Sequence, residues 1–324
     1  MRLAELAQVI GARLIGDGDV YVVRVAHVEV AGPDAVALVE HAHDRAAARL
    51  TAAAAVIVDE DFAADSAHEL PCAVLAVPGV PRALRLAIAA LHPRERPRPG
   101  IHAGAVVEDG ATVAPSASIA AGAVVLAGAV IGGDSVVMAG AVVMGGVRIG
   151  AQVVIGPGAV IGGAPYSFDD DGATIDAAYG VVVGDGCVIG ANACIDAGLV
   201  RDTTLGQRCH VDNLVQVGHD VVLGDGCALV AQTGLAGFGT FGSGVTFGGQ
   251  AGTNPHVRVA DRVRVGGRAG ITNDVTDIGA AVSGMPAIPH LAWLKAMAKL
   301  KTLSELERRV RRLEHAPTPH RGEP

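Results

Sequence analysis

With 324 residues, half of them hydrophobic but only 3% aromatic, and with 44 glycines, the chain has length for two or three domains and excludes a core built on large rings. A net charge of −8 without a long basic run excludes a nucleic-acid partner held by phosphate neutralisation, while a smaller anion can still use a local basic patch. Five cysteines, Cys72, Cys187, Cys194, Cys209 and Cys227, lack CxxC or Cys/His ligand spacing, so neither a disulfide framework nor a metal site is indicated and a reducing cytoplasm is expected.

The opening MRLAELAQVIG has no signal-peptide pattern. RLAELAQVIGARL has helical spacing, GDGD at Gly16 to Asp19 marks a turn, VYVVRVAHVEV and AAAAVIV read as strands, and VPRALRLAIAALH reads as a closing helix. A proline-rich linker, HPRERPRPG from His92 to Gly100, follows. Residues 1–97 are therefore expected to form a separate small α/β domain.

From residue 98 the period changes. In steps of six, Ile101, Val107, Val113, Ile119, Val125, Ile131, Val137, Val143, Ile149, Ile155 and Ile161 are all aliphatic. The phase is lost in GGAPYSFDDDGATIDAAYG, restarts at Val183, Ile189 and Ile195, slips at DAGLVRDTT, and resumes from Leu205 to Phe247, with Val259, Val265 and Ile271 closing the ladder. Neither a helical nor a strand period explains this pattern. A solenoid of very short strands does, with one inward aliphatic residue per flat side and three sides per coil of 18 residues. The apolar run from Ile119 to Gly133 belongs to this ladder; it is short for a bilayer span and Asp134 closes it. Cys187, Cys209 and Cys227 lie four residues after Val183, Leu205 and Leu223, which makes them inward packing residues.

This is the hexapeptide signature, which resembles that of the left-handed parallel β-helix; the handedness comes from the resemblance. The expected fold is mainly β, a β-helix over residues 98–285 with the small N-terminal α/β domain and a C-terminal α-helical extension. In residues 286–315, Leu303, Leu306, Val310 and Leu313 are spaced for an amphipathic helix or short coiled-coil seam, with Trp293 and Leu294 at its start. Lys295, Lys299, Lys301, Arg308, Arg309, Arg311 and Arg312 make it basic: a solvated face, or a dock for an acidic partner. Residues 316–324 are expected to be disordered.

Solenoid walls are structural, so polar breaks in the repeat are where chemistry is sought. His219 stands in HVDNLVQVGHD, and one coil further lies Gly237. Stacking at strand spacing sets an imidazole beside a backbone N–H, a pairing of general base and oxyanion donor that suits acyl transfer.

The order of a small α/β domain, a hexapeptide β-helix, IDAGLVRDTTLG, HVDNLVQVGHDVVLG and SGMPAIPHLAWLK resembles the UDP-3-O-(3-hydroxyacyl)glucosamine N-acyltransferases of lipid A biosynthesis. The resemblance implies a 3-hydroxyacyl group passing from acyl carrier protein to the 2-amino group of the UDP-sugar. It puts His219 at the general base, His256 of TNPH at a second active-site histidine and the Gly237 N–H at the oxyanion, with Asp212, Asn213 and Gln216 holding substrate. Where the family carries an aromatic NPKY-like segment this chain reads EHAHDR, which offers His41 or His43 for stacking on the uracil ring; Tyr166 and Phe168 of APYSF stand at a second aromatic loop, and Ala197 replaces an arginine. The resemblance further implies a cytoplasmic homotrimer with no metal or diffusible cofactor, the phosphopantetheine arm arriving on the carrier, and no membrane span or nucleic-acid partner. Two readings stay open beside it: a hexapeptide acyltransferase acting on another nucleotide-sugar, and a non-catalytic β-helix scaffold. His210, His219 and His256 do not match the spacing of a γ-type carbonic anhydrase.

Overall fold

The computed structural model describes residues 1–40, 42–93, 97–284 and 290–315. The chain divides into two compact units, Met1–Arg96 and Pro97–Pro324. His41 and the tail from residue 316 lie outside the described residues.

In the first unit the helix Leu3–Ile10 turns its Leu3, Leu6, Ala7 and Ile10 face inward. Gly11, left-handed at φ 69°, ends it, so the helical spacing that runs on to Leu14 gives way to a strand, Arg13–Ile15. That strand pairs antiparallel with Ala73–Val77, and Ala55–Asp59, Ala35–Leu38 and Arg24–His27 continue the sheet in parallel. Helices Leu3–Ile10 and Val80–Leu91 cover one face and Phe62 and Ala63 of Glu60–Ser66 help to fill the other, making a three-layer α/β unit. Strands Ala35–Leu38 and Ala73–Val77 are additional to the expected elements, although the AVLAV of Ala73–Val77 is as apolar as its neighbour Ala55–Asp59, and VYVVRVAHVEV shortens to Arg24–His27.

The second unit is a left-handed parallel β-helix. Its faces are parallel sheets of nine, eight and ten strands, most strands only two residues long. Val124 pairs with Val142 and Val136 with Val154, a register of 18 residues per coil. The step widens to 34 between Arg148 and Val182, where residues 164–179 loop out, and to 22 between Val182 and Thr204. Ile119, Val137, Ile155 and Ile189 are buried in one ladder, each on the equivalent residue of the coil below. Cys187, Cys209 and Cys227 stack in another, fully buried, their thiols donating to the carbonyls of Gly206, Gly224 and Gly242. A hydrogen bond with Cys209 and burial both push the Cys187 thiol up, which fits packing rather than reactivity.

The basic C-terminal segment forms two helices, His290–Leu300 and Leu303–Glu314, rather than one continuous helix. Leu303, Leu306 and Val310 form an exposed apolar stripe on the second.

Because Ile155 packs between coils with no freedom to repack along the axis, Ile155→Ala should lower the unfolding free energy by about 2–5 kcal/mol. Urea denaturation followed by circular dichroism checks it; a change within error would mean that the ladder collapses around the lost side chain.

Candidate active site

Three successive coils place His219–Asp220, Gly237–Phe238 and Pro255–His256 at one corner of the solenoid. The second residue of each pair is left-handed, Asp220 at φ 58°, Phe238 at 63° and His256 at 62°. A bulky side chain such as Phe238 rarely adopts that conformation, and the coil geometry imposes it. The Phe238 N–H donates to the His219 carbonyl and the His256 N–H to the Gly237 carbonyl, which locks the corner turns in register.

His219 donates through Nδ1 to Asp220 Oδ2 at 2.8 Å, the ionised carboxylate being able only to accept. In the neutral imidazole this tautomer makes Nε2 the acceptor. The ring lies over Gly237, where a Cβ would meet His219 Cε1 at 2.6 Å and Nε2 at 2.7 Å. Only glycine leaves the imidazole its place. The Gly237 N–H itself makes no hydrogen bond among the described residues.

The slip at IDAGLVRDTT explains how Asp220 is held. Gly198 lets the loop fold back, since a Cβ there would overlap the Arg201 carbonyl oxygen. The loop then delivers the N–H of Leu199 to Asp220 Oδ2 and those of Val200 and Arg201 to Oδ1, each at 2.9 Å. The Arg201 guanidinium donates to the Asp220 carbonyl, and Thr203 Oγ1 accepts its N–H. Asp220 is fully buried, and burial pushes its carboxyl up; the N–H donors and the His219 ring outweigh this and hold it below the ordinary carboxylate range.

His219, Gly237, Phe238, Pro255 and His256 wall a cleft of about 780 Å³, completed by Asp196, Gln216, Gly218, Leu235, Ala236 and the loop residues Ala164, Tyr166 and Ser167. The His219 side chain is 12% exposed, so its reactive edge is sheltered yet reachable. Phe238 stacks flat on His256, with centroids 4.6 Å apart, and meets His219 edge-on at 4.9 Å.

Of the residues picked from the sequence, His219, Gly237, His256, Gln216 and Tyr166 come together here. Phe168 is absent from the cleft wall and packs edge-on against Tyr166. Asp212 and Asn213 lie at another corner: Asp212 accepts from Asn213 and Ala231, and the Asn213 side-chain oxygen accepts from Ala191. They cap turns and do not line this cleft. His43 belongs to the first unit, where Nε2 lies 3.1 Å from Asp44. Sequence reasoning missed Asp196, Asp220 and Phe238. The repeat slip beside Asp196, and the residue next to His219, were the available signals. Among the described residues there is no cluster of metal-ligating side chains and no helix long and apolar enough to cross a membrane.

Residues 128–163 match the family model Bacterial transferase hexapeptide (six repeats). The chain is 33% identical over 144 residues to a UDP-3-O-acylglucosamine N-acyltransferase from Hahella chejuensis, covering 44% of this chain and 41% of that one. With a protein of the same description from Methylobacterium sp. the identity is 38% over 128 residues, 40% of this chain and 36% of the relative. The matches thus span about two-fifths of the length of these relatives. Among solved structures it is similar to UDP-N-acetylglucosamine O-acyltransferase from Moraxella catarrhalis, with 30% identity, a TM-score of 0.52, and coverage of 59% of this chain and 73% of that chain.

A carboxyl held below its ordinary range stabilises the fold above its unfolded value and loses that contribution as pH falls through the folded one. Stability measured by denaturant titration should therefore drop in the wild type as pH falls below about 4, and Asp220→Asn should lack this component. Parallel acid profiles for the two proteins would contradict the cradle.

Proposed function

We propose that the protein is an acyltransferase that moves a 3-hydroxyacyl group from acyl carrier protein to the 2-amino group of a UDP-3-O-acylglucosamine, in lipid A biosynthesis. The observation that carries this reading is the corner itself: an imidazole oriented by a saturated carboxylate, next to a backbone N–H that no group among the described residues uses. The relatives' names supply the substrate class.

In the proposed reaction the acceptor nitrogen attacks the thioester carbonyl carbon, and the new C–N bond leaves a positive nitrogen and a negative oxygen. His219 Nε2 takes a proton from the nitrogen, and Asp220 stabilises the imidazolium that forms. The Gly237 N–H donates to the oxyanion. Collapse breaks the C–S bond, and the proton on His219 passes to the departing sulfur. No step requires a metal or diffusible cofactor.

Phe238, stacked on His256, fixes the second histidine at the mouth of the cleft, where it positions the reactants. The exposed Lys295, Lys299, Lys301, Arg308, Arg309 and Arg312 suit an acidic carrier protein, and the uncovered stripe of Leu303, Leu306 and Val310 suits association of copies as a homotrimer. The extra α/β unit favours the amine-acylating reading over an O-acyltransferase whose solenoid begins near its N-terminus. A reducing, cytoplasmic setting fits the buried free thiols.

His219→Ala should lower the transfer rate by about 10²–10⁴-fold with the fold intact, as loss of a general base does. Gly237→Ala, which pushes a methyl group into the imidazole, should lower the rate although it removes no side-chain functional group. Thiol release from 3-hydroxyacyl carrier protein in the presence of the acceptor reads both; full activity in His219→Ala would remove it as the base.

A further inference from the structure

Two buried aspartates meet at the catalytic corner, and the fold treats them differently. Asp220 uses both carboxylate oxygens on donors from the protein. Asp196, 9% exposed, ends the strand Cys194–Asp196, whose pairing with Gln216–Val217 sets it one coil before Gly218 and beside His219. It lines the same cleft.

Among the described residues no cation pairs with Asp196 and no backbone N–H donates to it; the Gln216 side-chain amide, which donates to the Val217 carbonyl, lies close enough to favour its ionised form. Burial pushes its carboxyl up, against the pull of that amide and of His219. A carboxylate accepts about four hydrogen bonds. Since no described buried side-chain oxygen lacks a partner and no described protein donor reaches Asp196, its oxygens open on the cleft and take their donors from whatever occupies it, water or substrate.

We propose that Asp196 selects an amine over a hydroxyl as the acyl acceptor, by receiving the N–H that is not passed to His219. The inference rests on the acyl-transfer reading above. A primary amine that attacks a thioester carries two hydrogens on its nitrogen. One goes to His219 Nε2, and the other stays as the N–H of the amide product, hydrogen-bonded to Asp196 throughout. A hydroxyl brings a single hydrogen, which His219 must take, so Asp196 faces oxygen lone pairs with no donor. A site built to hydrogen-bond a donor rejects the analogue that lacks it far more strongly than an apolar pocket rejects a small change of shape. Gln216, on the next strand, lines the same cleft wall beside Asp196.

The test uses the full chain with 3-hydroxyacyl carrier protein as donor and UDP-3-O-acylglucosamine as acceptor. The analogue bearing a hydroxyl in place of the 2-amino group serves as competitive inhibitor. Asp196→Asn, which keeps the shape, and Asp196→Ala should each lower kcat/KM for the amine by about 10–100-fold, the loss of one hydrogen bond to a charged group. Neither should raise Ki for the hydroxyl analogue, to which Asp196 makes no favourable contact, and Asp196→Ala should lower it. An unchanged kcat/KM, or a Ki that rises in parallel with the loss of activity, overturns the assignment and leaves Asp196 a structural residue. A wild-type chain that releases no thiol with the amine acceptor overturns the parent reading instead, which separates the two failures.

Discussion

The structure depends on one constraint: every inward aliphatic side chain must sit on the equivalent residue of the coil below. Each short strand contributes little, and the two-residue segments have no stability of their own. Stacked, they bury a continuous column of valine, isoleucine and leucine, in which each fully buried side chain contributes about 1.5–3 kcal/mol. The register of 18 residues follows, because any slip moves inward residues to the surface. So does the chemistry, since that register carries His219 to Gly237 and Phe238 to His256.

A lattice this regular has no natural place for a buried charge. The four-residue widening of the step between Val182 and Thr204 supplies one by releasing three consecutive backbone N–H groups from the ladder and aiming them at Asp220. The carboxylate is thereby ionised and immobile, and it fixes the tautomer and the plane of the neighbouring imidazole. Rigidity made for packing becomes preorganisation of a reactive group.

The same rigidity keeps the cleft small and specific in its polar groups. Its walls are glycine, alanine, leucine, proline and the rings of Phe238 and Tyr166, with histidines, a serine, a glutamine and an aspartate placed among them. A wall of this kind offers fixed donors and acceptors to whatever enters it. Phe238 holds the two histidine rings apart at its face and edge, so neither is free to rotate independently of the corner.

The six-residue period alone determined the solenoid, because inward packing repeats in the sequence just as it does along the axis. It also placed Gly237 next to His219, a one-coil offset that needs no coordinates. The first unit was only partly legible: Val80–Leu91 showed its helical face, while Ala35–Leu38 and Ala73–Val77 are short apolar runs whose periodicity does not separate a buried strand from a buried helix, and the sheet neighbours decide it. Asp212 and Asn213 looked like substrate residues beside His219 in the chain, yet the corner turns them onto backbone donors elsewhere. Asp220 and Asp196 were told apart only by tertiary structure, since whether a carboxylate is saturated by the protein or open to the cleft depends on which N–H groups the folded loop brings to it.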